Sequence, residues 1–182
     1  MIDLVIKAFY LALPAYLANM APVIFAKLKW LNFLNKPIDG GRRVRSNYIF
    51  GSNKTWRGIV SAVIVGVLVA WLQAALYPLD FFKNISLLNY QANFLLFGAL
   101  AGLGAILGDL FKSFFKRRVK INSGRPWPVF DQLDFIVGFL IFTWVIVQPT
   151  WQIILTLAII TLVLHPLVNI IGYLLRIKKV WW

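Results

Sequence analysis

The stretch FIVGFLIFTWVIVQPTWQIILTLAIITLVLHPLVNIIGYLL, residues 135–175, runs for 41 residues without a charge. As one helix it would be about 60 Å long, twice the ~30 Å hydrocarbon core of a bilayer. Gln148, Pro149, Thr150 and Trp151 interrupt it near the middle, and a proline lacks the N–H that a helix interior needs. The stretch therefore reads as two spans, about 132–147 and 152–175, joined by a tight turn. Toward the N-terminus, the uncharged AFYLALPAYLANMAPVIFA (8–26) marks a span of about 8–28, and GIVSAVIVGVLVAWLQAALYPL (58–79) forms a second. A third uncharged run covers 84–108, with its apolar part, about 92–108, beginning near Asn93. The prediction is an all-α integral membrane protein of five transmembrane helices in a single membrane domain over 1–182. The first span has neither a basic leading region nor a small-residue cleavage pattern, so it is expected to be retained.

Composition agrees with that reading. Of the 182 residues 60% are hydrophobic, yet 19 Lys and Arg face 6 acids for a net charge of +13. Basic proteins that bind nucleic acid are poor in apolar residues, so nucleic acid is excluded as a partner, and the apolar and basic residues must be segregated along the chain. Seventeen of the 19 cations fall in 27–57, in 109–134 and after Leu175. By the positive-inside rule these segments are cytoplasmic, with loops of about 29–57 and 109–131, the N-terminus outside and the C-terminus inside. No cysteine is present, which excludes disulfides and thiolate chemistry. Clusters such as Arg42-Arg43-Arg45 and Lys178-Lys179 need no role beyond topology. Trp144, Trp151 and Trp181-Trp182 suit interfacial anchors, and Gly98, Gly102, Gly104, Ala105 and Gly108 suit close helix packing.

All six acids are aspartates, at 3, 39, 80, 109, 131 and 134. Asp109 ends the third span, while Asp131 and Asp134 open the fourth three residues apart, which places them on one helix face. Single acids in a first helical turn are commonly caps. Three carboxylates at one membrane depth amid cations instead suit a hard cation such as Mg²⁺, with phosphate oxygens completing its shell. Ser113, Lys116 and Arg117 continue the Asp109 stripe at +4, +7 and +8, with Lys112 beside them. In Gly51-Ser52-Asn53-Lys54-Thr55-Trp56-Arg57-Gly58 a glycine and polar loop leads into a span, so free N–H groups, Lys54 and Arg57 can meet a phosphate. Asn19, within span one, is equally a packing donor and a ligand contact, and His165 before Pro166 reads as an interhelical hydrogen-bonder at a kink.

These residues resemble a known signature. Gly108-Asp109, Ser113, Lys116-Arg117, Gly124, Pro128 and Asp131-Gln132-Leu133-Asp134 are similar to that of the integral-membrane CTP:phosphatidate cytidylyltransferases, the CDP-diacylglycerol synthase superfamily. Pro14-Ala15-Tyr16, Ala18-Asn19, Ala21-Pro22, Asp39-Gly40 and Asn53-Lys54-Thr55-Trp56-Arg57-Gly58 resemble its short archaeal branch, the CDP-archaeol synthases. The bacterial pattern has a glycine and histidine run before an Asp-Arg-x-x-Asp ending, whereas here Pro126-Trp127-Pro128-Val129-Phe130 leads to Asp-Gln-Leu-Asp. The resemblance implies transfer of CMP from CTP to a lipid phosphate, 2,3-bis-O-(geranylgeranyl)-glycerol 1-phosphate, at the cytoplasmic face of the cell membrane, with Mg²⁺ as cofactor. Carried onto this chain, it implies Asp109, Asp131 and Asp134 as metal ligands and Lys116 beside them in catalysis. Lys54, Thr55, Arg57, Ser113 and Arg117 would bind the phosphates, with Asn19 and Asp39 completing the pocket. The partners are CTP, the lipid phosphate and the bilayer, and a homo-oligomer stays open.

Three rivals remain. A CDP-diacylglycerol synthase would act on phosphatidic acid instead. A CDP-alcohol phosphatidyltransferase needs Asp-Gly-x-x-Ala-Arg, which Asp39-Gly40-Gly41-Arg42-Arg43-Val44 only mimics. A cation transporter or structural membrane protein is the reading from another class. A transporter should carry ionisable groups at the midplane, where, tyrosines apart, only His165 stands.

Overall fold

The structure, a computed structural model, describes residues 2–44, 47–51, 53–122, 125–177 and 180. Arg45, Ser52, Gly124, Lys178, Lys179, Trp181 and Trp182 lie outside the described residues, as does the side chain of Arg43. Among the described residues six α-helices make up the body: α1 (Ile2–Lys27), α2 (Trp56–Leu76), α3 (Asp80–Ile85), α4 (Tyr90–Arg118), α5 (Phe130–Thr143) and α6 (Trp151–Leu174). The connection from α1 to α2 adds one 3₁₀ turn, Asn32–Leu34, and a two-residue antiparallel ribbon of β1 (Arg43–Val44) and β2 (Asn47–Tyr48).

Among the described residues four helices, α1, α2, α4 and α6, are long and apolar enough to cross a membrane. The expected fourth span is shorter than its uncharged sequence suggests. At 14 residues, α5 is about 21 Å long, and it stops at Thr143 rather than near 147. Thr143 Oγ1 donates to the Phe139 carbonyl at 2.8 Å, competing with the backbone for that acceptor. One further turn follows, with the Ile146 and Val147 N–H groups both donating to the Thr143 carbonyl, and Pro149, which has no N–H, lies beyond it. The loop expected over 109–131 is half helical, because α4 continues to Arg118. Asn89 Oδ1 caps α4 through the Gln91 N–H, and the helix is kinked at Asn93, where the apolar part begins.

The centre of the bundle is α4. Its glycines face two ways: Gly98 and Gly102 meet Ala62, Gly66 and Val67 of α2, while Gly104 and Gly108 meet Asp134, Gly138 and Phe142 of α5. A Cβ added at Gly102 would run into the Ala62 carbonyl oxygen, and one at Gly108 into that of Asp134. Small residues thus bring backbones into contact, as they do where helices associate in lipid.

Direction alternates along the chain. Gln73 of α2 donates to the Tyr10 carbonyl near the start of α1, while Pro22 near its end packs on Gly58 at the start of α2. Tyr16 bonds Thr161 of α6, and Lys27 bonds the Arg176 carbonyl, so α1 and α6 run the same way. The ends of α1, α4 and α6 and the starts of α2 and α5 therefore share one end of the bundle. At the other end Tyr10 packs against Phe82 and Tyr90, which in turn meets Phe97. One end of the molecule is thus aromatic and closed, and the chemistry-bearing residues gather at the other.

Candidate active site

The loop before α2 is held in shape from both sides. Pro37 bridges Thr55, the Ile38 N–H donates to the Lys54 carbonyl at 3.0 Å, and the Trp56 N–H donates to that of Lys36 at 3.1 Å. Asp39 organises the same loop, accepting from the N–H groups of Gly41 and Phe50 at 2.9 and 3.2 Å. It does not line the cavity below, contrary to its expected place in the pocket, because both its oxygens are turned onto backbone donors. Thr55 caps α2 through the Gly58 N–H. So fixed, Lys54 extends to the C-terminal third of α4, where its ammonium pairs with Asp109 Oδ2.

On α4, Asp109, Lys112, Ser113 and Lys116 share a face by helical spacing. Ser113 and Lys116 are buried, at 3% and 6% exposure. The first turn of α5 brings Asp131 and Asp134 against this stripe. The result centres on Lys112, whose Nζ lies 3.0 Å from Asp109 Oδ1, 2.8 Å from Asp131 Oδ1 and 2.7 Å from Asp134 Oδ2. Lys116 Nζ donates to both oxygens of Asp131 at 3.0 and 2.9 Å, and the Trp127 N–H adds a bond to Oδ2.

Entry of the chain into α5 is strained. Val129 has φ +69° and ψ −54°, and the Phe130 N–H donates to the Pro128 carbonyl at 2.8 Å. This is a γ-turn of the rare positive-φ kind, on a β-branched residue. Its consequence is positional: it turns the chain sharply two residues before Asp131.

These groups line a cavity of about 800 Å³. Six cations, Lys54, Arg57, Lys112, Lys116, Arg117 and Arg125, face three carboxylates in its wall, an excess of three positive charges suited to a polyanion. Asn19, Pro22 and Val23 of α1 and His165 and Asn169 of α6 close the opposite wall. Thr55 and Ser113 also line it, so every expected site residue except Asp39 reaches one space. Arg57 Nη1 reaches Asn32 Oδ1 at 3.4 Å, and Arg117 bonds the Ile121 carbonyl.

Arg125, His165 and Asn169 were not expected in the site, and Lys112 was expected only beside the Asp109 stripe, with no role of its own. For Lys112 a signal existed, its +3 spacing from Asp109, but its three-way contact depends on where α5 lies. His165 and Asn169 are near each other, Nδ1 to Nδ2 3.4 Å, and reach the cavity because α6 runs beside α1. Among the described residues no three aspartates or histidines form a ready ion site. The three expected metal ligands instead surround an ammonium.

Comparison with known proteins now decides the family. The model of the CarS-like CDP-archaeol synthases matches residues 1–182. The chain belongs to the CDP-archaeol synthase family. It is 32% identical over 180 residues to the CDP-archaeol synthase of Methanocaldococcus jannaschii, covering 98% of each chain. It is 40% identical over 183 residues to that of Methanosarcina barkeri, covering 93% of this chain and 99% of the relative. A solved structure described as an intramembrane enzyme for archaeal membrane lipids biosynthesis superposes with a TM-score of 0.70 at 30% identity. That match covers 90% of this chain and 92% of the other. Membership in this family places the cluster around Lys112 inside a multi-pass membrane enzyme.

Proposed function

We propose that this chain transfers the cytidylyl group of CTP to the phosphate of an archaeal ether lipid, 2,3-bis-O-(geranylgeranyl)-glycerol 1-phosphate, in the cavity at the site end of the bundle. The products are a CDP-activated lipid and pyrophosphate. The carrying observation is the cavity wall, where an excess of cations meets three convergent carboxylates between helices long enough to lie in lipid. A nucleoside triphosphate and a lipid phosphate are both anionic, and only a cationic space at a membrane boundary accommodates both.

An oxygen of the lipid phosphate attacks the α-phosphorus of CTP, and the bond from that phosphorus to the bridging oxygen breaks as pyrophosphate leaves. The attacking oxygen is already anionic near neutral pH, so no side chain need remove a proton from it. Lys54, Arg57 and Arg117 hold phosphate oxygens and oppose their mutual repulsion. Lys116, fixed on Asp131, offers its charge from a position that does not drift. Ser113 and Thr55 donate hydroxyl hydrogen bonds from the same wall, and Asn19 reaches it from α1.

Asp109, Asp131 and Asp134 fit Mg²⁺ in donor chemistry, since three carboxylate oxygens already converge within 3.0 Å of one cationic centre. Bound there, Mg²⁺ would supply Lewis-acid neutralisation of the triphosphate and the leaving group.

The site end is read as cytoplasmic and the N-terminus as outside, with α5 serving as the fifth membrane-embedded helix. The alternating direction of α1, α2, α4, α5 and α6 and the 17 cations that the sequence carries in 27–57, in 109–134 and after Leu175 support this. Purified protein in detergent, given labelled CTP, Mg²⁺ and either the ether-lipid phosphate or phosphatidic acid, tests the activity. CDP-lipid from the ether lipid is expected; preference for phosphatidic acid would reassign the substrate, and product from neither would refute the reading.

A further inference from the structure

Lys112 occupies the point where the three carboxylates meet. Its side chain is 13% exposed, and it contacts Asp109, Asp131 and Asp134 at 2.7 to 3.0 Å. The other two cations of the cluster are each committed to one partner, Lys54 to Asp109 and Lys116 to Asp131. Asp134 differs from both. Its side chain is 5% exposed, and its ion pair among the described residues is with Lys112 alone. Asp134 Oδ2 makes no hydrogen bond besides that pair, so it retains lone-pair capacity for a ligand.

Lys54, Lys112 and Lys116 balance the three aspartates charge for charge. A balanced cluster offers little attraction to a further cation. Yet the oxygens surround Lys112 Nζ at a radius only about 0.6 to 1.0 Å beyond the ~2.0 to 2.1 Å shell of Mg²⁺, a gap that small side-chain movements close. A cation cannot enter while the ammonium stays. Lys112 can leave, being a point charge on a flexible four-carbon stem, and the space it faces is the cationic cavity that would hold the triphosphate.

We infer that Lys112 is a built-in occupant of the divalent-cation position, exchanged for the ion on loading. With the ion absent, Lys112 keeps the buried carboxylates neutralised and the α4–α5 contact intact. On exchange it swings toward the cavity and becomes a further phosphate ligand. Metal binding thereby competes with the ammonium and is coupled to arrival of the anionic substrate that gives the ammonium a new partner. Lys112 is thus a positioning residue in the ion-free protein and a substrate-binding one afterwards. This rests on the proposed metal role of the three aspartates but not on the identity of the nucleotide or lipid.

The test uses the whole protein in detergent without nucleotide. First, acetic anhydride labelling of wild-type lysines is followed by peptide mass spectrometry in EDTA and then in saturating Mg²⁺. Labelling of Lys112 is expected to rise on adding Mg²⁺, with Lys116 changing less because Asp131 retains it. Second, Mn²⁺ alone is titrated by electron paramagnetic resonance. Lys112→Met removes the competitor, so its dissociation constant is expected to fall by about tenfold relative to wild type, within the usual range of coupling between sites. In EDTA the same variant should unfold at a lower temperature, and Mn²⁺ should raise its midpoint more than that of wild type.

Unchanged or reduced Lys112 labelling in Mg²⁺, or Mn²⁺ affinities equal within about twofold, would overturn the inference. If Lys112→Met does not fold, the wild-type labelling decides alone. Absence of Mn²⁺ binding to both proteins overturns the metal reading together with the exchange. Tighter binding by the variant, with no CDP-lipid formed by wild type, supports the exchange and overturns only the proposed activity.

Discussion

Gly108→Ala tests whether backbone contact between α4 and α5 assembles the site. A Cβ there would run into the Asp134 carbonyl oxygen and stand 2.9 Å from its carbonyl carbon and 3.2 Å from Gly138 Cα. Carbon pairs prefer about 3.5 to 4.0 Å, so α5 must retreat by roughly 0.6 Å or more. Every atom met is backbone, and no flexible side chain can yield. Overpacking of this kind costs about 1 to 3 kcal/mol, offset by about 1 kcal/mol of helix propensity gained from alanine. Net destabilisation is therefore small, up to about 2 kcal/mol. The effect on chemistry is larger. A shift of that size moves Asp131 and Asp134 of α5 away from Asp109 of α4, so the three carboxylates no longer converge on one point. Misplacement near 1 Å can cost about 100-fold in rate.

Gly98→Ala is the matched control, since its Cβ would meet the Gly66 carbonyl oxygen and Val67 Cα, both at 2.6 Å, at the α2–α4 contact. Gly98 lies about 16 Å along α4 from Asp109. Both variants are assayed for thermal unfolding and for CDP-lipid formation. Both should lose some stability, but only Gly108→Ala should lose about 100-fold in kcat/KM. Turnover by Gly108→Ala within about threefold of wild type, or equal losses in the two variants, would refute the idea that this contact positions the carboxylates.

Asp134→Asn should fold, since Lys112 keeps two carboxylates, yet lose about 100-fold in kcat, equivalent to ~2.7 kcal/mol of barrier; near-normal turnover returns Asp134 to a helix-start role. Lys116→Met should raise the KM for CTP, with Asp131 still held by Lys112 and Trp127, and substrate titration measures it. Asp39→Ala should cost about 0.5 to 1.5 kcal/mol per lost loop hydrogen bond and leave kcat unchanged, as melting and turnover together would report. Chelation with EDTA should abolish product formation, and Mg²⁺ should restore it. Because the chain has no cysteine, single cysteines at Lys120 and Lys83 report topology, and an impermeant maleimide should label only the second in intact cells.

The membrane helices were legible because transfer into lipid is a local property of each uncharged run. The stripe of Asp109, Ser113 and Lys116 was legible for a similar reason, since helical period alone puts those residues on one face. The length of α5 was less so: the run from Phe135 has no charge to mark an end, yet the helix stops at Thr143, well before Pro149. The partners of Asp39 were not legible, because a loop carboxylate faces whichever donors the folded loop presents, here the N–H groups of Gly41 and Phe50.

By itself the sequence determined that this is a helical membrane protein, that its cations crowd the segments at one end, and that few acids are available for chemistry. Tertiary structure decided how those acids meet. Gly104, Gly108 and Gly138 let α4 and α5 touch along their backbones, and that approach carries Asp131 and Asp134 onto the ammonium of Lys112. Distances between segments remote in the chain are set by packing, which no spacing along one helix reports. Lys112 therefore reads as one more basic residue in the sequence and becomes the hub of the site only in the fold.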